Sequence, residues 1–445
     1  MGVSATSSSV EPTQTKEYPL ITSSERGGSV QVTDGITAVE RRKTITLNMV
    51  PNSSTDNDVS DSEITDVVRG AAGEHGCVAV ICNTVTRAQR LFSRVRDVMP
   101  EDWEVELMHS RFTIEDRRAK ETLLVDRLGP KAGERRPEKY ILIGTQVLEQ
   151  SLDVDFDVMV TEVCPASALV QRAGRLHRHK RSRTEDHTDP KLFVVGFFLG
   201  DGDFKIPRGT EMVYGKCAPM VTAASLSTMT HITTPEDGPR LVIDPYGDEA
   251  FKTIPDGWKD TYVKSRDKEL DSHKVSASRA DKWLVPQPET GLAVGPLYGW
   301  EIVSKDLGEF ASVRDSVMDR TAYVMYRRAD GELEVRSGDT RIVMTGSAGG
   351  VGRRRILRLA RQELKLPKTL NGIHLPTILE LCKKGHQLRW DIDKWKWAVD
   401  PRSFVLILND DGEAELTGTA SRGNKESFKV RYSPSLGLRG LKVAD

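Results

Sequence analysis

Between Val78 and Phe198 the apolar residues repeatedly change period, and this alternation restricts the fold more than any other property of the chain. Val78-Ala-Val-Ile81 is a short apolar run ending in Asn83-Thr84, after which Ala88, Leu91, Phe92, Val95 and Val98 recur at helical spacing. Trp103 to Met108 alternates as a strand, and Thr113 with Asp116 three residues on marks the start of a helix reaching Leu128. Tyr140 to Gly144 and Asp157 to Thr161 read as further strands, and Leu192 to Phe198 closes the series. Strands joined through helices lie parallel, so the spacing predicts a doubly wound α/β sheet. Ligands of such sheets collect beyond the carboxyl ends of the strands.

Two segments carry the chemistry. The first leaves the strand at Gly144 and runs Thr145-Gln-Val-Leu-Glu-Gln-Ser-Leu-Asp153. The second, Leu169 to His179, reads as one helix with Leu169, Val170, Ala173 and Leu176 on the packing side and Gln171, Arg175 and Arg178 on the other. Gly174 falls inside that helix, where glycine costs roughly 1 kcal/mol against alanine, so close approach of a ligand or backbone is the expected compensation. Two arginines a turn apart repel unless an anion joins them, and forked planar donors suit phosphate oxygens. A polyphosphate is the expected ligand. Alone, such a helix would more simply be a solvated face; the small and hydrogen-bonding residues at the preceding strand end weigh against that.

Together, Thr145 to Asp153 and Gln171-Arg-Ala-Gly-Arg-Leu-His-Arg-His179, with Cys164-Pro165 between them, resemble the last two motifs of superfamily 2 helicases. They look most like the signature helicase-nuclease of type I CRISPR interference, and His109-Ser-Arg-Phe-Thr-Ile-Glu-Asp-Arg117 is similar to an upstream segment of that family. The resemblance implies a RecA-like lobe, the second of the two a helicase needs, followed by a smaller α+β C-terminal accessory domain. Ala311 to Asp315 and Tyr432 to Leu438 are similar to segments of that domain. It also implies ATP-dependent 3′-to-5′ movement on single-stranded DNA in antiviral defence, with an RNA-guided type I surveillance complex as recruiter.

By the same resemblance, Arg175 and Arg178 contact the terminal phosphates of ATP, and Gln171 orients them or the attacking water. Asp153 touches the ribose or links the strand end to the nucleotide, unless it is only a turn carboxylate. Thr145 and Gln146 hold DNA phosphates, which carry most sequence-independent affinity. Asn83 and Thr84 either do likewise or merely form a turn. Arg111, with His109, lies near DNA in the family or belongs to an ordinary loop.

No Gly-x-x-x-x-Gly-Lys-Ser/Thr loop, Asp-Glu-x-His box or His-Asp metal pair occurs in the sequence. In the resembling family these stand on the N-terminal nuclease domain and first lobe. The ATP site is therefore expected to be shared with a missing first-lobe chain, which would also hold the Mg ion, and the chain alone to be inactive. The rival reading is an inactive relic or truncated fragment that only binds nucleic acid.

With 445 residues there is room for two or three domains, and 38% hydrophobic with 29% charged residues is an ordinary globular balance. A net charge of -1 means that any nucleic-acid binding must come from a local patch, such as Arg172 to Arg183 or Arg353 to Arg361. Five scattered cysteines with no Cys-x-x-Cys pair point to reduced thiols, and His177, His179 and His187 lack a carboxylate or cysteine at ligand spacing, so no metal is expected on this chain. Without an apolar leader or an 18-residue apolar run, no membrane association and a cytoplasmic location are expected. The domain expectation is a flexible tail over 1–40, the helicase lobe over 41–205, a helical and turn-rich linker over 206–300, and the accessory domain over 301–445.

Overall fold

The computed structural model describes residues 6–8, 21–23, 31–34, 42–54, 56–149, 152–200, 202–280, 320–338, 340–344, 353–370, 373–383, 388, 396, 398–400, 402–419 and 425–441. The chain divides into two compact units, Met1–Met108 with Leu123–Leu270, and His109–Thr122 with Asp271–Asp445. Three short strands, β1 (Thr6–Ser8), β2 (Ile21–Ser23) and β3 (Gln31–Asp34), form a small antiparallel sheet within the first forty residues.

The first unit is built on β4 (Lys43–Met49), β5 (Gly76–Ile81), β6 (Glu104–Met108), β7 (Lys139–Gly144), β8 (Val158–Glu162), β9 (Lys191–Val195) and β12 (His231–Thr234), with the hairpin β10 (Phe198–Gly200) and β11 (Asp203–Lys205) beside them. The seven main strands lie in the order β12-β4-β9-β8-β5-β7-β6. Six are mutually parallel, and β12 adds antiparallel to the β4 edge. The central strands β5 and β8 are buried along their whole length, which is why they read as continuous apolar runs rather than alternating ones.

The helices follow local capping chemistry. In α1 (Asn57–Ala72) the Asp56 carboxylate accepts the amides of Asp58 and Val59, and Gly73 ends the helix at φ +62°. The polar composition of Pro51 to Asp61 conceals this start. The Thr84 hydroxyl caps α2 (Val85–Val98), which buries Ala88, Leu91, Phe92 and Val95; Val98, placed on the same face by its spacing, is 47% exposed at the frayed end. The expected cap of α3 (Ile114–Leu128) is present as the hydrogen bond from Asp116 N to Thr113 Oγ1.

Residues 206–270, expected to link two domains, instead pack within the first unit. Helices α5 (Arg208–Tyr214) and α6 (Cys217–Leu226) are separated by Gly215 at φ +72°. Cys217, Met220, Val221, Ala223 and Leu226 join the core formed by Ala79, Leu142 and Met159. Because α6 is buried nearly all round, it has no amphipathic stripe for a periodicity argument to find.

In the second unit, β13 (Thr321–Arg327) pairs antiparallel with β14 (Leu333–Ser337) and β16 (Glu363–Lys365), and parallel with β17 (Phe404–Leu408); β15 (Thr340–Val343) extends the sheet from β14. A separate antiparallel sheet holds β18 (Glu413–Thr419), β19 (Lys425–Ser433) and β20 (Gly437–Leu441). Phe404 to Leu408 and Phe428 to Tyr432 thus belong to different sheets. The second basic run forms a helix over Arg353–Ala360 with Ile356 and Leu359 inward. Ala311 to Asp315 lies outside the described residues. Among those described, no helix is long and apolar enough to cross a membrane.

The packing of α2 predicts an asymmetry between two nearby truncations. Leu91→Ala, at a residue 0% exposed, should lower unfolding stability by about 2–5 kcal/mol in a urea melt, and Val98→Ala by less than about 1 kcal/mol. Equal losses would contradict the packing face assigned here.

Candidate functional site

Parallel pairing separates the sequence-predicted residues of the first unit into two groups. Asn83, Thr84, Thr145 and Gln146 follow β5 and β7 at the carboxyl ends of the strands. Asp153 and Arg178 lie with residues preceding β7, β8 and β9, at the amino ends, around a cavity of about 970 Å³.

The arginine segment departs from its predicted helix. α4 spans only Ala166–Ala173, and Gly174 is its cap rather than an interior residue. Past it the backbone extends: the amide of Phe156 donates to Arg175 O, the amide of His177 donates to Phe156 O, and His177 sits at φ +43°. Lys43 completes the ending by donating from Nζ to the carbonyls of Ala173 (3.1 Å) and Leu176, a cation at a helix carboxyl end. Burial pushes the pKa of Lys43 down to about 8, with Asp155 opposing and Arg178 and Arg183 adding to the fall.

Gln171, Arg175 and Arg178 therefore do not share one helical face. Gln171 is exposed on α4. Arg175 is half-buried, its guanidinium donating to the carbonyls of Glu149 (2.8 Å) and Leu148 (3.3 Å). Burial lowers its pKa, and the charge of Arg178 lowers it further. Arg178 is exposed and donates to Asp153 at 2.5 Å; that bond holds the carboxyl of Asp153 below its ordinary range. The structure thus brings Asp153 and Arg178 together on the lining of the cavity, with Arg175 near enough for its charge to be felt by both while its guanidinium rests on the turn after β7.

Most of the expected basic patch is internal. Arg181 (3.0 Å) and Arg183 (2.9 Å) turn onto the buried Asp155, and Arg183 and Arg136 also meet Asp157. Only Arg178 and Lys180 of the run are exposed, with Arg42 and Lys43 facing them across the cavity.

At the carboxyl ends the polar groups form a closed network. Asn83 is 2% exposed: its amide donates to Val163 O (2.8 Å) and Thr210 Oγ1 (3.1 Å), and its backbone N–H to Glu162. Glu162 and the buried Asp61 both pair with Arg87, at 3.3 Å and 3.1 Å. Gln146 donates to Asn83 O and Tyr214 Oη, each at 3.0 Å. Thr145 is 2% exposed, so Thr84 and Gln146 are the two expected contacts here that retain open surface.

At the centre stands a residue that sequence reasoning placed only in a basic run. Arg172 is 0% exposed, and its five N–H groups meet five acceptors: Glu149 (2.8 Å), Thr161 Oγ1 (2.7 Å), Glu162 O (3.1 Å), Asn83 Oδ1 (3.1 Å) and Tyr214 Oη (3.1 Å). Burial opposes its charge, yet Cys164, Tyr214 and Glu149 around it hold its pKa above the ordinary value. The signal was present: Arg172 falls three residues after Leu169 and four after Ala168, on the packing face.

Arg111 and His109 belong to the second unit. His109 is buried and stacked on Phe112, accepting the Arg111 amide at Nδ1 (3.1 Å) and meeting Leu436 O with Nε2 (3.0 Å). That makes it a neutral latch between two turns. The Arg111 guanidinium is mostly enclosed, and burial lowers its pKa.

A mostly parallel seven-stranded sheet, with a strand-end turn held by one arginine of the following helix and a second just past its end, has the architecture of a RecA-like lobe. Residues 74–181 match the family model described as CRISPR-associated nuclease/helicase Cas3, C-terminal. The CRISPR-associated nuclease/helicase Cas3 of Streptococcus thermophilus is 28% identical over 430 residues, covering 95% of this chain and 43% of that protein. The T. fusca Cas3-AMPPNP crystal structure is similar with a TM-score of 0.70 and 22% identity, over 91% of this chain and 43% of that one. A structure titled CRISPR RNA-guided surveillance complex, pre-nicking, has a chain that is similar with a TM-score of 0.68 and 20% identity, over 95% of this chain and 48% of its own length. These matches bear out the resemblance drawn from the motifs, to the C-terminal helicase region of the Cas3 family, and the chain spans less than half the length of the relatives it matches.

The enclosed His109 gives a pH prediction. Its pKa is pushed down to about 3 from 6.5, so the unfolded chain binds the extra proton between those values and stability falls as pH drops through that window. Urea midpoints of the second unit's transition should decline from pH 6.5 to 5, before carboxylates titrate, and His109→Gln should flatten that decline. An unchanged slope would contradict the neutral latch.

Proposed function

We propose that this chain supplies the second helicase lobe of an ATP-dependent 3′-to-5′ single-stranded DNA translocase of type I CRISPR defence, acting with a first lobe and nuclease domain from outside these residues. The observation that carries the reading is the pairing of Arg178 with Asp153 on the lining of a cationic cavity, with the charge of Arg175 close to both. With no ligand, Arg178 is satisfied by an exposed carboxylate and Arg175 by two carbonyls, bonds that a phosphate of higher charge would displace.

In this mechanism ATP, with its phosphates and Mg ion on the first lobe, faces the amino-end cavity. Arg175 and Arg178 stabilise charge developing on the transferred phosphoryl group. Gln171, exposed on α4, orients the attacking water, and Asp153, released by Arg178, takes a ribose hydroxyl. Single-stranded DNA runs across the opposite ends of the strands, its phosphates on Thr84 at the amino end of α2 and on Gln146, with Asn83 and Thr145 supporting that surface from beneath. Arg111, in the second unit, is a separate proposed DNA contact. Recruitment by the RNA-guided surveillance complex follows the family resemblance.

The test combines the chain with a first-lobe and nuclease polypeptide of a Cas3 relative and measures ATP hydrolysis with oligo(dT). Hydrolysis should require both components, and Arg175→Ala or Arg178→Ala should lower kcat by roughly a thousandfold or more. Oligo(dT) binding that weakens with salt, without hydrolysis in any mixture, would support the inactive nucleic-acid-binding module instead.

A further inference from the structure

We infer that Arg172 and Glu149 are positioning residues that set the place of Arg175 and make it responsive to DNA bound at Gln146. The inference rests on the DNA and nucleotide surfaces proposed above. Three observations join in one path. The turn Gln146–Leu148 carries Gln146, whose amide holds Asn83 O and Tyr214 Oη. The next residue, Glu149, is buried, and its carboxylate receives Arg172 at 2.7 and 2.8 Å. The carbonyls of Leu148 and Glu149, in the same turn, hold the guanidinium of Arg175.

The turn is thus pinned from one side by Arg172 of α4 and offers its other side to Arg175, three residues further along the same chain. Tyr214 closes the circuit, because its hydroxyl meets both Gln146 and Arg172. A ligand that draws Gln146 outward loads this hydroxyl and the turn, and the carbonyls under Arg175 move with it. An arginine serving only to fill the core would not need the side chain of the same residue whose carbonyl holds a second arginine. Five satisfied donors also make the hub stiff, since any shift of the turn leaves a buried donor without its acceptor. Stiffness is what lets a displacement at Gln146 reach Arg175 undamped.

The test uses amide hydrogen exchange of the full chain with and without oligo(dT), in the wild type, Glu149→Gln and Tyr214→Phe. In the wild type, oligo(dT) should change exchange at residues 174–178 by about threefold or more, an effect the size of a modest shift in local opening. At saturating oligo(dT), Glu149→Gln should lose the response at 174–178, and Tyr214→Phe, a smaller perturbation of the same path, should reduce it. A full response at 174–178 in both variants would overturn the positioning role. Wild type that binds DNA with no change at 174–178 would overturn it too, leaving the DNA surface intact. Failure of oligo(dT) to bind at all would remove the DNA reading and this inference together.

Discussion

The geometry of the first unit depends on a single buried guanidinium. Arg172 lies on α4 among apolar residues and matches its five donors to acceptors from four places in the chain: the strand-end turn, Asn83 after β5, the end of β8, and α5. Without Glu149 the arginine would be a buried charge with no carboxylate on it, and removing one partner of such a pair typically costs about 3–5 kcal/mol. Everything at the carboxyl ends of the strands is placed by this arrangement, including Asn83 and Gln146. So is the cradle of carbonyls in which Arg175 rests.

A second constraint acts at the amino ends, where cations outnumber carboxylates. Asp155 and Asp157, buried below the cavity, take up Arg136, Arg181 and Arg183, and the backbone of α4 takes up Lys43. What remains toward solvent is a smaller set, with Arg178 held lightly by Asp153 and Lys180 open. The basic run therefore acts mainly as internal bracing. The cations left on the cavity wall lie at the opposite ends of the strands from Thr84 and Gln146.

The parallel sheet was legible because its strands are short apolar runs separated by helical spacing, and Val78 to Ile81 and Tyr140 to Gly144 fall within observed strands. α1 was hidden by a polar start whose meaning is a cap at Asp56, and α6 by an apolar surface with no polar side. For the candidate site, the motifs pointed to two segments that the structure places side by side, but helical periodicity misjudged the second one. It assumed that a helix entering at Ala166 would continue through Gly174, whereas pairing of Arg175 to His177 with Phe156 and the Lys43 cap end it at Ala173. The residue between Gln171 and Ala173 was counted with the surface arginines although its spacing from Ala168 and Leu169 put it inside. A long-range partner such as Glu149, 23 residues away, leaves no local mark in the sequence.

The most direct measurement of the central claim is a structure of the chain joined to a first helicase lobe with an ATP transition-state analogue bound. The account predicts that Arg178 leaves Asp153 and Arg175 leaves the carbonyls of Leu148 and Glu149, both guanidiniums moving to within about 3 Å of the analogue's equatorial oxygens. Both arginines remaining on their present partners, with the nucleotide held by other groups, would contradict it.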